Sequence, residues 1–156
     1  MTTRPGILTS REDRAWRAFL RAHYQIVRKL DAVLLNKEGI SLSAFEVLRW
    51  LAQAPDSRMR MSELAGRVLL SRSGITRLVD HLVAQGLIER QRSQGDARGA
   101  EAVLTDQGRE RLEQISQLHF DGVKEFFTGR LSGEDLDVLA ETLAKVVDPE
   151  SGGEAC

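Results

Sequence analysis

The stretch that decides the fold is residues 61–105, which read MSELAGRVLL SRSGITRLVD HLVAQGLIER QRSQGDARGA EAVLT. It begins with a short helical pattern at about residues 62–68, followed by an amphipathic helix that runs from an N-cap at Ser71 to Gly86. Two short strands, residues 87–92 and 101–104, then flank a loop rich in glycine, serine and aspartate. A helix pair followed by a basic hairpin can place one helix in the major groove of DNA and an arm in the adjacent minor groove.

The helix that follows Ser71 has two different faces. Its apolar side chains, such as Ile75 and Val79, fall on one side, and arginines and short polar side chains fall on the other. A guanidinium can donate two hydrogen bonds to a guanine edge, and hydroxyls can add further hydrogen bonds. On this helix alone, a solvated face explains the pattern as well as a DNA-reading face does. The DNA-contacting residues predicted here are Ser71, Arg72, Ser73, Thr76 and Arg77.

The hairpin adds four candidate DNA contacts. Arg90 and Arg92 lie two residues apart, so they share one face of the first strand, where they would lie near phosphates. Asp96 and Arg98 are also two apart at the hairpin tip, and the carboxylate can hold the guanidinium in one orientation. An arginine held in this way can enter a narrow minor groove, where the negative potential is strongest. The alternative, an exposed ion pair in a loop, would contribute little to stability and would not explain the helix pair before it.

Charge is distributed unevenly along the 156 residues. The whole chain has a formal net charge of −1, but residues 67–98 contain six arginines and three acids. Residues 134–156 contain seven acids and one lysine, which would keep this end of the chain away from a phosphate backbone. The positive charge is therefore concentrated where the groove-reading elements are predicted, although basic patches have other partners as well.

Composition and motifs exclude several classes of protein. No apolar run approaches the roughly 20 residues of a membrane span, and the first residues lack the apolar stretch of a secretory signal, so we expect a cytoplasmic protein without a membrane partner. The single cysteine, Cys156, allows neither an internal disulfide nor a thiolate metal cluster. The three histidines have no metal-ligand spacing, and no phosphate loop or nucleophile motif is present. We expect no enzyme activity, no metal and no cofactor.

The helices before and after the winged region are predicted to bury apolar surface against a second copy of the chain. The first, at about residues 11–36, has apolar residues in heptad register, and a seam of that length predicts burial against a second copy. A second helix is predicted to begin with a capping box from Ser43 to Glu46 and to end before Ala54. The third and fourth helices are the two already described, at about residues 62–68 and after Ser71. A fifth helix is predicted from Thr105 to about residue 127, and a sixth helix from Ser132 until Pro149 stops it. The predicted dimerisation residues are Trp16, Leu20, Val27, Leu139 and Leu143.

These elements predict a mainly α fold with a small β-hairpin wing, a winged helix-turn-helix flanked by N- and C-terminal dimerisation helices. The winged helix-turn-helix would occupy residues 41–104. Residues 1–40 and 105–148 would form the helical dimerisation region, and residues 149–156 a disordered tail.

The chain resembles the MarR (multiple antibiotic resistance regulator) family of winged helix-turn-helix regulators. The matching segments are SELA (62–65), SRSGITRLV (71–79), GLIER (86–90), DAR (96–98) and LTDQG (104–108). The resemblance implies a homodimer that binds a pseudo-palindromic operator on double-stranded DNA and usually represses transcription. It also implies release by a small aromatic or phenolic ligand that binds between the winged lobe and the dimer helices. Members that sense oxidants have a reactive cysteine in the first helix, which this chain lacks.

Four residues are candidates for binding such an effector. His23 lies on the apolar seam of the first helix, Arg49 and Trp50 lie on the second, and His119 lies on the fifth. These groups could stack on an aromatic anion and pair with it, but each has an ordinary structural alternative. A histidine can be a hydrogen-bonded interface residue, a tryptophan can be core, and an arginine can be solvated or bind phosphate. The alternative function is a winged-helix module that binds protein and not DNA, although such a module does not need arginines on both the helix and the wing.

Overall fold

A computed structural model describes residues 7–68, 70–92 and 99–147. The six α-helices are α1 (Ser10–Glu38), α2 (Leu42–Gln53), α3 (Met61–Arg67), α4 (Arg72–Ala84), α5 (Asp106–Phe126) and α6 (Gly133–Ala144). The three strands are β1 (Arg58–Arg60), β2 (Ile88–Arg92) and β3 (Ala100–Leu104), and single 3-10 turns occupy Pro55–Ser57 and Thr128–Arg130. The fold is therefore mainly α with a small antiparallel sheet, as predicted. The predicted tip residues Asp96 and Arg98 and the tail at 149–156 lie outside the described residues.

The helix starts follow from hydroxyl caps. Ser71, Thr105 and Ser132 accept hydrogen bonds from backbone amides of the first turns of α4, α5 and α6, as the sequence predicts. The prediction for α2 was wrong, because its cap is Ser41 and not Ser43. Gly39, with φ of 66°, ends α1, and the chain is already helical at Leu42. The Ser41 hydroxyl therefore lies where it can accept from the Ala44 amide, at 3.1 Å.

The end of α6 also differs from the prediction. The helix ends at Ala144 and does not continue towards Pro149. The amides of Lys145 and Val146 bond to carbonyls three residues earlier, at 3.3 and 3.0 Å, so the last turn tightens and the α-helical ladder stops there.

The sheet has three strands, whereas the sequence predicted only the hairpin. β3 lies in the centre and pairs antiparallel with β1 on one side and β2 on the other. Ala102 lies opposite both Met59 and Arg90. β1 has only three residues and no alternating pattern, and its partner strand is about forty residues away in sequence, so nothing local predicted it.

The core lies inside the winged lobe and joins it to the long helices. Its largest fully buried side chains come from β2 and from the first five helices, α1 to α5. α5 packs along α1, and Gly122 makes this approach close, since a Cβ there would lie 2.8 Å from Cδ2 of Leu30. At the end of α1, the Arg111 guanidinium donates to the Glu38 carboxylate at 3.0 Å and to the Glu38 carbonyl at 2.7 Å.

The largest group of exposed apolar side chains on one element lies on α1. Trp16, Phe19, Leu20, Tyr24 and Val27 are 38–60% exposed, although they are large hydrophobic side chains. On α6, Leu139 and Leu143 are half-buried, and no residue of this helix is fully buried. In the described part of the chain, no helix is long and apolar enough to cross a membrane.

Candidate nucleic-acid interface

The helix-turn-helix is formed by α3 and α4. α4 buries Ile75, Val79 and Leu82 against the core, as its apolar pattern predicts. The Ser71 hydroxyl accepts from the Gly74 amide at 3.1 Å, which fixes the start of the helix. The buried face and the cap together decide which side of α4 faces outward.

The outward side of α4 holds the five residues predicted from sequence. Ser71, Arg72, Ser73, Thr76 and Arg77 are all exposed. The Thr76 hydroxyl donates to the Arg72 carbonyl at 2.8 Å, so its proton is already used and its oxygen can only accept further hydrogen bonds. The Ser71 and Ser73 hydroxyls lie 3.2 Å apart, beside the helix N-terminus. Short polar groups therefore surround the first turn, where the helix dipole favours an anion such as phosphate.

The two arginines of this face are available for an external partner. Within residues 7–68, 70–92 and 99–147, no hydrogen bond or ion pair engages the guanidinium of Arg72 or of Arg77. Each guanidinium has five N–H donors in a planar fork that matches two acceptors at once. These exposed guanidiniums lie on a helix whose other side is buried, so they can reach base edges without breaking a contact with any described residue.

Arg90 has an internal partner that the sequence did not predict. Its Nη2 lies 3.1 Å from the Asp80 carboxylate of α4 and 3.5 Å from the Thr76 carbonyl. Both partners of the ion pair are more than a third exposed, so the pair is weak and can open towards a phosphate. Arg92 is exposed further along β2, on the same face of the strand. Arg90 therefore joins the wing to the recognition helix, a role that no spacing signal in the sequence could reveal.

The four predicted effector residues do not form one cluster. The Arg49 guanidinium lies 5.0 Å from the centre of the Trp50 ring, and Arg67 of α3 lies 4.8 Å from the same ring. His119 stacks instead on Phe45, with ring centres 4.3 Å apart. His23 lies on the exposed part of α1, 6.2 Å from the ring of Phe19.

The charge of Arg49 acts on two half-buried ionisable groups, Glu46 and His119. Burial lowers the pKa of His119, and the positive charge of Arg49 lowers it further. Burial raises the pKa of Glu46, and Arg49 partly opposes that effect. Within the described residues, Nδ1 of His119 is buried and has no hydrogen-bond partner. The sequence pointed to Arg49 and His119 as candidate effector residues, but it did not point to Glu46.

Comparisons with known proteins agree with this geometry. The MarR family model matches residues 38–99. The transcriptional repressor YetL of Bacillus subtilis is 29% identical over 128 residues, which cover 80% of this chain and 76% of YetL. A MarR family regulator from Streptomyces coelicolor, solved in complex with DNA, is 32% identical, with a TM-score of 0.83 and coverage of 93% of this chain and 91% of its own.

A MarR variant from E. coli, complexed with operator DNA, is 28% identical with a TM-score of 0.74, and the match covers 85% of this chain and 93% of that one. Proteins of this family are non-enzymatic regulators. The buried and exposed faces of α4, the three-stranded wing sheet and the long flanking helices lead to the same conclusion as these matches. The chain belongs to the MarR family of winged-helix transcriptional regulators.

Proposed function

We propose that this protein represses transcription by binding a specific operator, with α4 in the major groove. The observation that carries the proposal is the pair of exposed guanidiniums, Arg72 and Arg77, which no described residue engages and which lie on a capped helix whose other face is buried. Ser71, Ser73 and Thr76 add short hydrogen-bonding groups beside them. Arg90 and Arg92 on β2 lie near phosphates, and Arg98, which is outside the described residues, enters the minor groove.

The operator is a pseudo-palindrome, because the protein acts as a homodimer. The support for the dimer is the exposed apolar seam of α1, including Trp16, Leu20 and Val27, which a lone chain leaves in water. The half-buried Leu139 and Leu143 of α6 complete the buried face. Residues 1–40 and 105–148 form this dimerisation region, and residues 41–104 form the DNA-binding lobe. The two α4 helices then enter successive major grooves about 34 Å apart.

A small aromatic or phenolic effector releases the protein from DNA. It binds near Arg49 and His119, between α2 of the lobe and α5 of the dimer region. The support is the buried Nδ1 of His119, which lacks a partner among the described residues and can accept a hydrogen bond from a phenolic hydroxyl. We infer that His23, on the α1 seam, joins this site from the partner subunit. An effector at this junction changes the separation of the two recognition helices, so it weakens DNA binding without touching DNA.

The proposal is tested by fluorescence anisotropy. The full chain is titrated into labelled duplexes that tile the region upstream of its own gene and into a shuffled duplex, at about 150 mM salt, because affinities depend on salt. We expect a preference of several hundredfold for one native segment. The Arg72→Ala and Arg77→Ala variants should each reduce this preference without abolishing it, whereas Arg17→Ala, which removes an exposed arginine on α1, should leave it unchanged. Equal weak binding to every duplex, or no binding, would contradict the proposal and favour a module that binds protein.

A further inference from the structure

The polar contact between β2 and α4 passes through one corner of one guanidinium. Nη2 of Arg90 lies 3.1 Å from the Asp80 carboxylate and 3.5 Å from the Thr76 carbonyl, and both acceptors belong to α4. Thr76 and Asp80 are four residues apart, so they are neighbours on the same side of the helix. Arg90 therefore ties the wing to one defined turn of α4.

The other two corners of this guanidinium have no partner in the described part of the chain. Nε and Nη1 of Arg90 together carry three N–H groups, and no described residue accepts a hydrogen bond from them. The Arg90 side chain is also exposed, so an external acceptor can approach it. A phosphate can thus bind Nε or Nη1 while Nη2 stays on α4, which means that the ion pair can open but does not have to.

The value of this ion pair lies in where it holds the charge. Exposed ion pairs add little to stability. Phosphate contacts, however, fix the position and orientation of a protein on the duplex, whereas base contacts carry the sequence information. In this lobe the two kinds of contact come from different elements, since Arg90 belongs to β2 while Arg72 and Arg77 belong to α4. The Asp80 carboxylate is the charged group that holds the first element against the second.

We propose that Asp80 determines specificity by positioning Arg90, so that a phosphate bound by the wing sets how α4 lies in the major groove. Asp80 itself touches neither base nor phosphate. Without its carboxylate, Arg90 still reaches a phosphate, but from a range of positions, and α4 no longer meets the base edges in a single arrangement. This inference rests on the proposed function, because it concerns how the same helix distinguishes sequences.

The test is the Asp80→Asn variant of the full chain. It is titrated by anisotropy against the preferred native duplex and the shuffled duplex, at about 150 mM salt. The variant loses one negative charge, so electrostatics alone would tighten the binding of both duplexes by the same factor. The positioning role predicts instead that the preference for the native duplex falls by about fivefold, a coupling typical of residues in contact. An unchanged preference would overturn the proposal.

Glu89→Gln is the matched control. It removes the same charge from β2 next to Arg90, but successive side chains of a strand point to opposite faces, and Glu89 accepts a hydrogen bond from Gln91 at 3.5 Å. This variant should bind both duplexes more tightly and keep the preference of the parent. If the slope of log affinity against log salt were steeper by about 1 in Asp80→Asn than in Glu89→Gln, Asp80 would be withholding Arg90 from phosphate, and the proposal would be wrong.

A double-mutant cycle shows whether Asp80 acts through Arg90. When Asp80→Asn is added to Arg90→Ala, the preference should fall no further, because the guanidinium that Asp80 positions is already gone. A further fivefold loss would contradict the proposal. Both side chains are exposed, so the variants leave the core intact, which thermal denaturation checks. If the parent itself shows no preference, the proposed function fails and this inference with it, whereas an unchanged preference in Asp80→Asn removes the inference alone.

Discussion

Gly108 provides a quantitative test of how the wing is joined to α5. A Cβ at this position would lie 2.1 Å from the Leu87 carbonyl oxygen and 2.7 Å from Cδ1 of Leu104. The first contact involves backbone, so α5 would have to move away from the junction of α4 and β2. The same turn is held by Thr105, whose hydroxyl accepts from the Gly108 amide at 3.0 Å and donates to the Gly86 carbonyl at 2.7 Å.

The cost of Gly108→Ala follows from these contacts. Overpacking costs about 1–3 kcal/mol, and weakening the two hydrogen bonds of Thr105 costs about 1 kcal/mol each. The higher helix propensity of alanine stabilises the folded chain by about 1 kcal/mol, which partly offsets these costs. We therefore expect Gly108→Ala to lower the free energy of unfolding by about 2–4 kcal/mol, which corresponds to a decrease of about 4–16 °C in Tm for a chain of this size.

The measurement is thermal and urea denaturation of both proteins at one protein concentration, since a dimer makes Tm depend on concentration. The matched control is Gly66→Ala in α3, where a Cβ would have no atom within 4 Å. Because this substitution adds helix propensity without a clash, it should raise stability by up to about 1 kcal/mol. If Gly108→Ala were as stable as the parent while Gly66→Ala behaved as expected, the close approach of α5 to Leu87 would be refuted.

Three further predictions concern the wing, the dimer seam and the response to pH. Arg98→Ala should weaken binding of all duplexes and reduce the slope of log affinity against log salt by about 1, and a loss confined to particular base pairs would count against its minor-groove role. Leu20→Glu should yield monomers or insoluble protein in sedimentation analysis, so a soluble folded dimer would refute the seam. Burial lowers the pKa of His119. From about pH 7.5 to 5.5 the unfolded chain therefore binds a proton that the folded chain does not, and stability falls with falling pH. Between these two pH values, the free energy of unfolding measured by urea denaturation should fall less in His119→Phe than in the parent. If the free energies of both proteins changed with pH in parallel, the assignment of this effect to His119 would be wrong.

Local signals predicted much of the fold. Ser71, Thr105 and Ser132 cap their helices as expected, because each hydroxyl precedes an amphipathic segment and acts within three residues. The choice between Ser41 and Ser43 depended on tertiary contacts. The Leu42 amide donates to Asp31 of α1 at 2.8 Å, and this contact helps to place the N-cap of α2 two residues earlier than the sequence suggested.

Long-range contacts could not be predicted in this way. The hydrophobic pattern of α4 gave the outward position of Arg72 and Arg77, because burial on one face decides exposure on the other. It gave no information about Arg90, whose partner Asp80 lies ten residues away on a different element. The stacking of Arg67 on Trp50 likewise joins two helices whose relative placement no local pattern specifies.

The central claim is that α4 reads base edges, and Arg77 offers its most direct test. The parent protein and Arg77→Ala are titrated by anisotropy, at about 150 mM salt, against the preferred duplex and against each single base-pair substitution of it. We predict that Arg77→Ala loses about 1–3 kcal/mol on the preferred duplex and no longer distinguishes substitutions at the base pair that Arg77 contacts, while it still discriminates elsewhere. An equal loss on every duplex, with discrimination unchanged at all positions, would contradict the claim.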